Sequence, residues 1–531
     1  MMTPDYFYRN LGGWLWRNGL RLTPKFIVPC VSVAAIAFSI GWILALGQGH
    51  LVMMMQPGPQ ELNEPATWYG TWLLDQGRNP FTLKELPGAA QFFSPFYNYV
   101  ILALKPILGI DYPAHRIVNF ICIVLILWLL GSRMRRLGTS WAVVVTSSAL
   151  LYWMFSSNIM ITARPDALGL LLFLVALVIP WERDYRPWPV VIGLVIAILA
   201  FHCKSYFGVA GAGVLVGVAC YRSKGEALVM AAGFFLVLFV TIGLFMHFYP
   251  FYWAEVFVMT SGTLVGNSNN EMLDRHTIMM VERGWPYMLL LSFALGAFIV
   301  RYDWKTNLRY ARTHWRNLRT PLTKQPLPVM GVLLLVHLFI VQRYMANNGG
   351  ATFTYHIHLL FPLAMLMLAG WATTWPRSLI AVIFLVICGN YNFVVPWTPR
   401  SEPSYDLLAR RLEPYKYVIG LGSTTDILAR QGKTVHNDGF TVFLPYAFGG
   451  GAFGRSKATN ALERNFSEMI NTVRDDVANR RVDVILTHAD WSYVAEMGVI
   501  RANYERHPED RMDLQMRFAW DNIEFWYPKP K

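Results

Sequence analysis

The hydrophobic positions of this chain are grouped in apolar runs that short polar or basic loops separate. Such runs are typical of helices that cross a bilayer, whose hydrocarbon core needs about 20 mainly apolar residues per helix. We interpret eleven of the runs as membrane-spanning helices. They cover residues 26–46, 117–130, 141–155, 167–181, 190–201, 207–220, 227–248, 285–300, 327–345, 359–371 and 379–395.

Basic residues predict which way each helix points, because cytoplasmic loops of membrane proteins carry an excess of Lys and Arg. The most basic loop, residues 301–324, holds seven Lys and Arg and one acid. The basic amino terminus and the loop around Arg135 are expected on the same, cytoplasmic side. With an odd number of spans, the carboxyl-terminal part is then expected outside.

One further apolar run, residues 92–108, is broken by Pro95 and Pro106. If it were a span, the basic loop around Arg135 would face outside, against the usual distribution of positive charge. We therefore interpret it as an interfacial or re-entrant helix within a first external loop, residues 48–115.

The composition narrows the class of protein. Of 531 residues, 54% are hydrophobic and 15% charged, with a mean hydropathy of +0.34, which is too apolar for an ordinary soluble protein. The net charge of +13 comes from the basic loops, so we expect no nucleic-acid partner. The five cysteines have no CxxC pair and no metal-ligand spacing with histidine. The first apolar run lacks a small-residue cleavage site, which predicts an uncleaved anchor.

The character of the chain changes after about residue 395. Strand-like runs at 417–421, 482–486 and 523–526 alternate with a polar helical stretch at 462–479. This pattern predicts a small soluble α/β domain. The fold class is therefore a mainly α, polytopic membrane domain over residues 1–395, followed by an extracytoplasmic α/β domain over residues 396–531.

Polar side chains gather at the predicted outer ends of the helices. They are Glu61 and Glu64 after the first span, Arg164 and Asp166 before the fourth, His202 and Lys204 after the fifth, and Tyr355, His356 and His358 before the tenth. Carboxylates can accept a proton from a hydroxyl group, and Arg, Lys and His can bind a phosphate. Glycosyl transfer from a lipid phosphate needs both.

Several short segments resemble the C-type membrane glycosyltransferases, a superfamily that includes mannosyl and aminoarabinose transferases. Glu64 is followed by Tyr-Gly-Thr-Trp at 69–72, by a Gly thirteen residues after it, and by Pro-Phe at 80–81. The segment 163–168 resembles the Arg-Pro-Asp opening of a helix in that family, and Lys204 stands where relatives tend to carry a Lys. Residues 349–355 resemble an approach to a late helix.

The resemblance implies a C-type glycosyltransferase fold, a polyprenyl-phosphate sugar donor, and a glycan, lipid or protein acceptor. It implies transfer, usually with inversion, on the periplasmic face of a bacterial inner membrane. It also implies roles for individual residues. These are Glu64 as general base, Lys204, Arg164 and His202 as ligands of the donor phosphate, and Asp166, Tyr69, Tyr355, His356 and His358 as substrate contacts.

Alternatives stay open for several of these residues. Glu61 is the alternative base, Asp166 is also suited to cap a helix, and Lys204 is also suited to reach the interface from a helix end. Asn63 stands where relatives often place Asp, which argues against a metal ligand at this position. No cofactor is assigned, and dependence on a divalent metal is left open. Two histidines two positions apart, His356 and His358, point to different sides of a helix.

A transporter or flippase of lipid-linked glycans is the alternative function. Transporters tend to have internal repeats and ionisable residues at mid-membrane. In this chain the polar residues crowd one side, and the sequence has no evident repeat. The pattern therefore favours an enzyme.

Overall fold

The apolar runs in the first half of the chain form a bundle of helices. The computed structural model describes residues 24–61, 64–82, 85, 93–156, 159–259, 303–324, 403–435, 457–488, 497–507, 510–515 and 520–530. Up to residue 248, the helices are α1 (Pro24–Met54), α2 (Glu64–Asp75), α3 (Phe96–Leu108), α4 (Tyr112–Arg136), α5 (Trp141–Ser156), α6 (Asp166–Glu182), α7 (Pro187–Cys203), α8 (Val209–Tyr221) and α9 (Lys224–Phe248). The predicted spans after residue 280 lie outside the described residues.

Within the described part of the chain, three helices are long and apolar enough to cross a membrane: Pro29–Met54 of α1, α4 and α9. Large apolar side chains are exposed along them, among them Phe38, Trp128 and Phe239. A helix that is apolar on all sides and exposed is suited to lipid rather than to water. The chain is therefore mainly helical with the character of a membrane protein, while the number of eleven spans stays a prediction.

Helix α1 extends eight residues beyond the predicted end at residue 46. The sequence there contains Gln48 and His50, polar residues that normally favour the end of a span. The structure buries His50 completely, and its Nδ1 lies 3.0 Å from the hydroxyl oxygen of Tyr152. Because the bundle supplies this hydrogen bond, the polar residue is accommodated within the helix.

The described helices α1 and α4 to α9 alternate in direction, which creates two distinct ends of the bundle. At the basic end, Glu182 pairs with Arg133 and, at 2.9 Å, with Arg136. At the other end, called here the carboxylate end, lie Glu61 and Glu64. The helices α2 and α3 of the first loop also lie at the carboxylate end, where the side chains of Asn98 and Thr71 are hydrogen bonded at 2.9 Å.

The carboxyl-terminal part forms a five-stranded sheet in the order β1-β2-β5-β3, with β4 also paired to β5. The strands are β1 (Val418–Ile419), β2 (Val484–His488), β3 (Tyr504–Arg506), β4 (Met512–Gln515) and β5 (Trp520–Pro528). Strands β1 and β2 are parallel, while β5 is antiparallel to β2, β3 and β4. The remaining helices are α10 (Trp304–His314), α11 (Pro403–Leu412), α12 (Thr425–Arg430), α13 (Lys457–Ala478) and α14 (Met497–Asn503). The strand-like runs of the sequence coincide with β1, β2 and β5, whereas the division into two domains stays a prediction.

The sheet packs against the carboxylate end of the bundle. Trp68 and Leu73 of α2 share one hydrophobic core with Leu428 and Phe525. The guanidinium of Arg430 lies 4.6 Å from the ring centroid of Trp68 and forms an ion pair with Asp111 at 2.6 Å. The first loop is therefore held between the helical bundle and the sheet.

Candidate functional site

Glu64 is the first residue of α2, and its carboxylate is fully buried. Arg116 of α4 binds it in a bidentate pair, with Nε 2.9 Å from Oε1 and Nη2 2.7 Å from Oε2. The backbone N–H groups of Gln60 and Ala163 also donate to the same carboxylate. A bidentate guanidinium and two amides are strong, charge-assisted donors. Glu64 is therefore a fixed junction of three chain segments.

Arg116 completes this junction and is a residue that our sequence analysis did not select. Its Nη1 donates to the carbonyl oxygen of Gln56 at 2.7 Å, and its Nη2 to that of Gly58 at 2.7 Å. These contacts fasten the chain after α1 to the start of α4. An arginine at the start of an apolar run is costly near a membrane unless it is paired. The position of Arg116 directly before such a run was therefore the feature of the sequence that could have identified it.

Asp166 is the centre of a second buried cluster of charged groups. Its Oδ1 accepts a hydrogen bond from Lys204 Nζ at 2.6 Å, and its Oδ2 accepts one from Arg164 Nε at 3.1 Å. Arg164 Nη1 also lies 3.2 Å from Oε1 of Glu61. All four side chains are buried. The structure thus brings together Glu61, Arg164, Asp166 and Lys204 from three separate stretches of the sequence.

Two aromatic residues border this cluster. The hydroxyl of Tyr206 lies 3.3 Å from Oδ1 of Asp166. Lys204 Nζ lies 4.5 Å from the ring centroid of Phe93, and the guanidinium carbon of Arg164 lies 5.6 Å from the same ring. Cations over an aromatic face are attracted by its negative quadrupole. Tyr206 and Phe93 were not selected from the sequence, since only the fold places them beside Asp166.

The segment 162–166 connects the two clusters. Ala163 donates to Glu64 through its backbone, while the next residue, Arg164, reaches Glu61 and Asp166 through its side chain. Asn119 of α4 holds this segment, because its Nδ2 donates to the carbonyl oxygen of Arg164 at 2.9 Å. The Glu64 junction is therefore the support on which the Asp166 cluster is built.

Burial sets the electrostatics of Lys204, which lies between α7 and the 3-10 turn Ser205–Gly208. Loss of water lowers the pKa of its ammonium group to about 7, while the negative charge of Asp166 acts in the opposite direction. The charge of Lys204 near neutral pH therefore depends on the anions beside it. A second anion such as a phosphate would favour the protonated form.

His202 and Tyr69 lie outside the Asp166 cluster. Nε2 of His202 is 3.0 Å from the hydroxyl oxygen of Thr241, which places the ring against α9. Tyr69 stacks on Trp72 with ring centroids 5.5 Å apart and belongs to the core shared with the sheet. Burial raises the pKa of Tyr69 to about 12. In this conformation both side chains serve packing at the carboxylate end.

Tyr355, His356 and His358 lie outside the described residues. Within the described ranges, no group of three or more His, Cys, Asp or Glu side chains is arranged to hold a metal ion. Of the residues predicted to bind the donor phosphate, Arg164 and Lys204 therefore lie at the candidate site. The two residues predicted as alternative bases, Glu61 and Glu64, lie there as well.

Comparison with known proteins identifies no relative of this chain. No family model matches the chain, and no curated protein or solved structure matches it significantly.

Proposed function

We propose that this chain is a membrane glycosyltransferase that uses a polyprenyl-phosphate sugar as donor. The acceptor is a glycan, a lipid or a protein at the carboxylate end of the bundle, on the periplasmic face of a bacterial inner membrane. One observation carries the proposal. Two buried cations, Arg164 and Lys204, lie side by side on Asp166 with the carboxylate of Glu61 next to them.

This arrangement suits both halves of a glycosyl transfer. The bond between the anomeric carbon and the phosphate oxygen breaks, and the acceptor oxygen forms a bond to the same carbon. The acceptor hydroxyl gives its proton to a carboxylate, which acts as general base. The electron pair of the broken bond leaves with the polyprenyl phosphate, whose charge Arg164 and Lys204 would stabilise.

The contacts favour Glu61 over Glu64 as the general base. Glu64 is fully buried, and four N–H donors already occupy the lone pairs of its carboxylate. Glu61 is 8% exposed and borders the cation pair through Arg164. Since a base must be within hydrogen-bond reach of the acceptor hydroxyl, we assign that role to Glu61 and a supporting role to Glu64.

Transfer of a labelled sugar tests this assignment. The purified full-length protein in detergent is given a panel of polyprenyl-phosphate sugars, and the parent is compared with Glu61→Gln, Glu64→Gln and Glu226→Gln. Glu226 is a half-exposed carboxylate at the basic end and serves as the matched control. Donor binding and thermal unfolding are measured for each variant.

We expect the Glu61→Gln variant to bind the donor and unfold like the parent but to lose transfer by at least about a hundredfold, the size of a general-base contribution. The Glu226→Gln variant should behave like the parent. If Glu61→Gln retains transfer while a folded Glu64→Gln variant is silent, the base is Glu64. If the parent neither transfers sugar from any donor nor binds any donor, glycosyl transfer is refuted. Movement of lipid-linked glycans then becomes the better hypothesis.

A further inference from the structure

Residues 303–324 form an amphipathic segment at the basic end, which the proposed sugar transfer does not use. Helix α10 begins after Asp303, whose side chain accepts a hydrogen bond from the backbone N–H of Thr306 at 3.0 Å. Such a cap stabilises a helix start. Helical geometry continues through Trp315. The segment is therefore a properly capped helix of its own.

The side chains of α10 sort into three faces around the helix axis. At about 100° per residue, the apolar face spans about 40° and the neighbouring basic face about 60°. The remaining face is turned to the protein and is buried or half-buried. The apolar face consists of Trp304, Leu308 and Trp315, the basic face of Lys305, Arg309 and Arg312, and the face turned to the protein of Asn307, Tyr310 and His314.

The apolar face is open to the surroundings. The exposed fractions are 40% for Trp304, 55% for Leu308 and 63% for Trp315, and Leu318 just beyond is 51% exposed. Adjacent large apolar side chains on a surface usually mark a contact with a partner or a membrane. A stripe of Trp and Leu beside Lys and Arg is typical of helices that lie in the plane of a bilayer surface.

Hydrogen bonds hold this segment to the turn between α8 and α9. Lys224 Nζ donates to the carbonyl oxygen of His314 at 3.0 Å and contacts Thr320 Oγ1 at 3.1 Å. The backbone N–H of Gly225 donates to the carbonyl oxygen of Leu318 at 2.8 Å. These residues begin α9, one of the helices long enough to cross a membrane. The amphipathic helix is thus fixed where α9 reaches the bilayer surface.

We propose that α10 binds anionic phospholipid headgroups of the leaflet at the basic end. Trp304, Leu308 and Trp315 enter the region between headgroups and acyl chains, and the basic face contacts the lipid phosphates. The occupant follows from charge complementarity and from continuity with the lipid-facing surface of α9. Each Lys or Arg near an anionic surface strengthens attachment about fivefold.

A fluorescent label on α10 tests this binding. The chain is freed of its own cysteines, given Leu308→Cys, labelled with an environment-sensitive dye, and placed as full-length protein in nanodiscs. The discs contain phosphatidylcholine alone or mixed with phosphatidylglycerol. Quenching by acrylamide, a neutral water-soluble quencher, reports how far the label is removed from water.

We expect phosphatidylglycerol to reduce quenching several-fold. The triple variant Lys305→Gln, Arg309→Gln and Arg312→Gln should lose this protection, since three lost contacts weaken attachment about a hundredfold. A matched control, Arg410→Gln, Lys416→Gln and Arg464→Gln, removes the same charge from exposed positions elsewhere and should keep the protection. The proposal is refuted if phosphatidylglycerol does not change quenching in the parent. It is also refuted if quenching is equal in the parent and the first triple variant.

Discussion

At the scale of single residues, the buried carboxylates and cations of the candidate site support the fold. Glu64 and Arg116 form a pair with no exposed surface on either side chain. A buried ion pair gains little over an apolar pair, but removal of one partner leaves an uncompensated charge. The pair is therefore a structural requirement of the candidate site, independent of which carboxylate is proposed as base.

Replacement of Glu64 should therefore reduce stability as well as activity. We expect Glu64→Gln to lower the free energy of unfolding by about 3–5 kcal/mol, because Arg116 stays buried and charged without its carboxylate. The half-exposed pair of Arg222 and Glu226 is the control, and Glu226→Gln should cost less than about 1 kcal/mol. Thermal unfolding in detergent measures both. Equal effects of the two substitutions would contradict the structural role of Glu64.

Asp426 is a buried carboxyl group in α12 that the proposed transfer does not use. The hydroxyl of Tyr405 donates to its Oδ2, while Oδ1 has no hydrogen-bond partner in the described part of the chain. Burial raises the pKa of Asp426 to about 6 from an ordinary value of 3.8. The folded chain therefore binds this proton more tightly than the unfolded chain.

The consequence is a stability that depends on pH. The stabilising contribution of protonated Asp426 is complete below about pH 4 and is lost as the pH rises through about 6. Relative to Asp426→Asn, the parent should lose about 2 kcal/mol of unfolding free energy between pH 4 and 7. Unfolding at a series of pH values measures the difference. The control Asp406→Asn, at an exposed position of α11, should show the same pH dependence of the unfolding free energy as the parent. If Asp426→Asn also shows the parent's pH dependence, this explanation is wrong.

At the scale of elements, close approach determines how the helices pack. A Cβ atom at Gly217 of α8 would overlap the ring of Tyr185, which is buried and packs at a tilt against Tyr221 with centroids 4.7 Å apart. The ring cannot move aside without losing that packing. Small residues at such contacts let helix backbones approach.

Two glycines provide a matched test. We expect Gly217→Ala to reduce the free energy of unfolding by about 1–3 kcal/mol through overpacking. A Cβ atom at Gly233 of α9 would meet no atom within 4 Å among the described residues, apart from its chain neighbours and the backbone of its own helix. There, Gly233→Ala should stabilise the helix by up to about 1 kcal/mol through higher helix propensity. A stabilising effect of both substitutions would show that α8 is not packed this closely on Tyr185.

At the scale of the whole molecule, the alternating helices separate two chemically different ends. The basic end holds Arg133, Arg136 and the segment 303–324, while the carboxylate end holds the Asp166 cluster and the sheet. Basic residues are retained on the cytoplasmic side of membranes. The proposed site should therefore face the periplasm.

Cysteine labelling tests this sidedness. In a chain without its own cysteines, Gln76→Cys lies at the carboxylate end and Lys324→Cys in the basic segment, both at exposed positions. In intact bacterial cells with a permeable outer membrane, an impermeant maleimide should label the first variant. It should reach the second only after the inner membrane is opened. The reverse pattern would contradict both the orientation and a periplasmic reaction.

Much of the helical organisation could be predicted because apolar runs and basic loops are local features. The runs at 141–155 and 227–248 agree with α5 and α9 within a few residues at either end. The end of α1 was missed, since the hydrogen bond that satisfies His50 comes from Tyr152, about a hundred positions away. Local polarity cannot reveal such a partner.

The sequence alone determined which stretches are apolar, where the basic residues lie, and which carboxylates and cations gather at one end of the helices. These properties follow from composition and order along the chain. Only the tertiary structure decided how those charges pair. It joins Glu64 to Arg116 and Asp166 to Lys204, pairs 52 and 38 positions apart in the chain. Because a carboxylate's role depends on the donors around it, the proposal that Glu61 rather than Glu64 is the base rests on contacts that only the fold supplies.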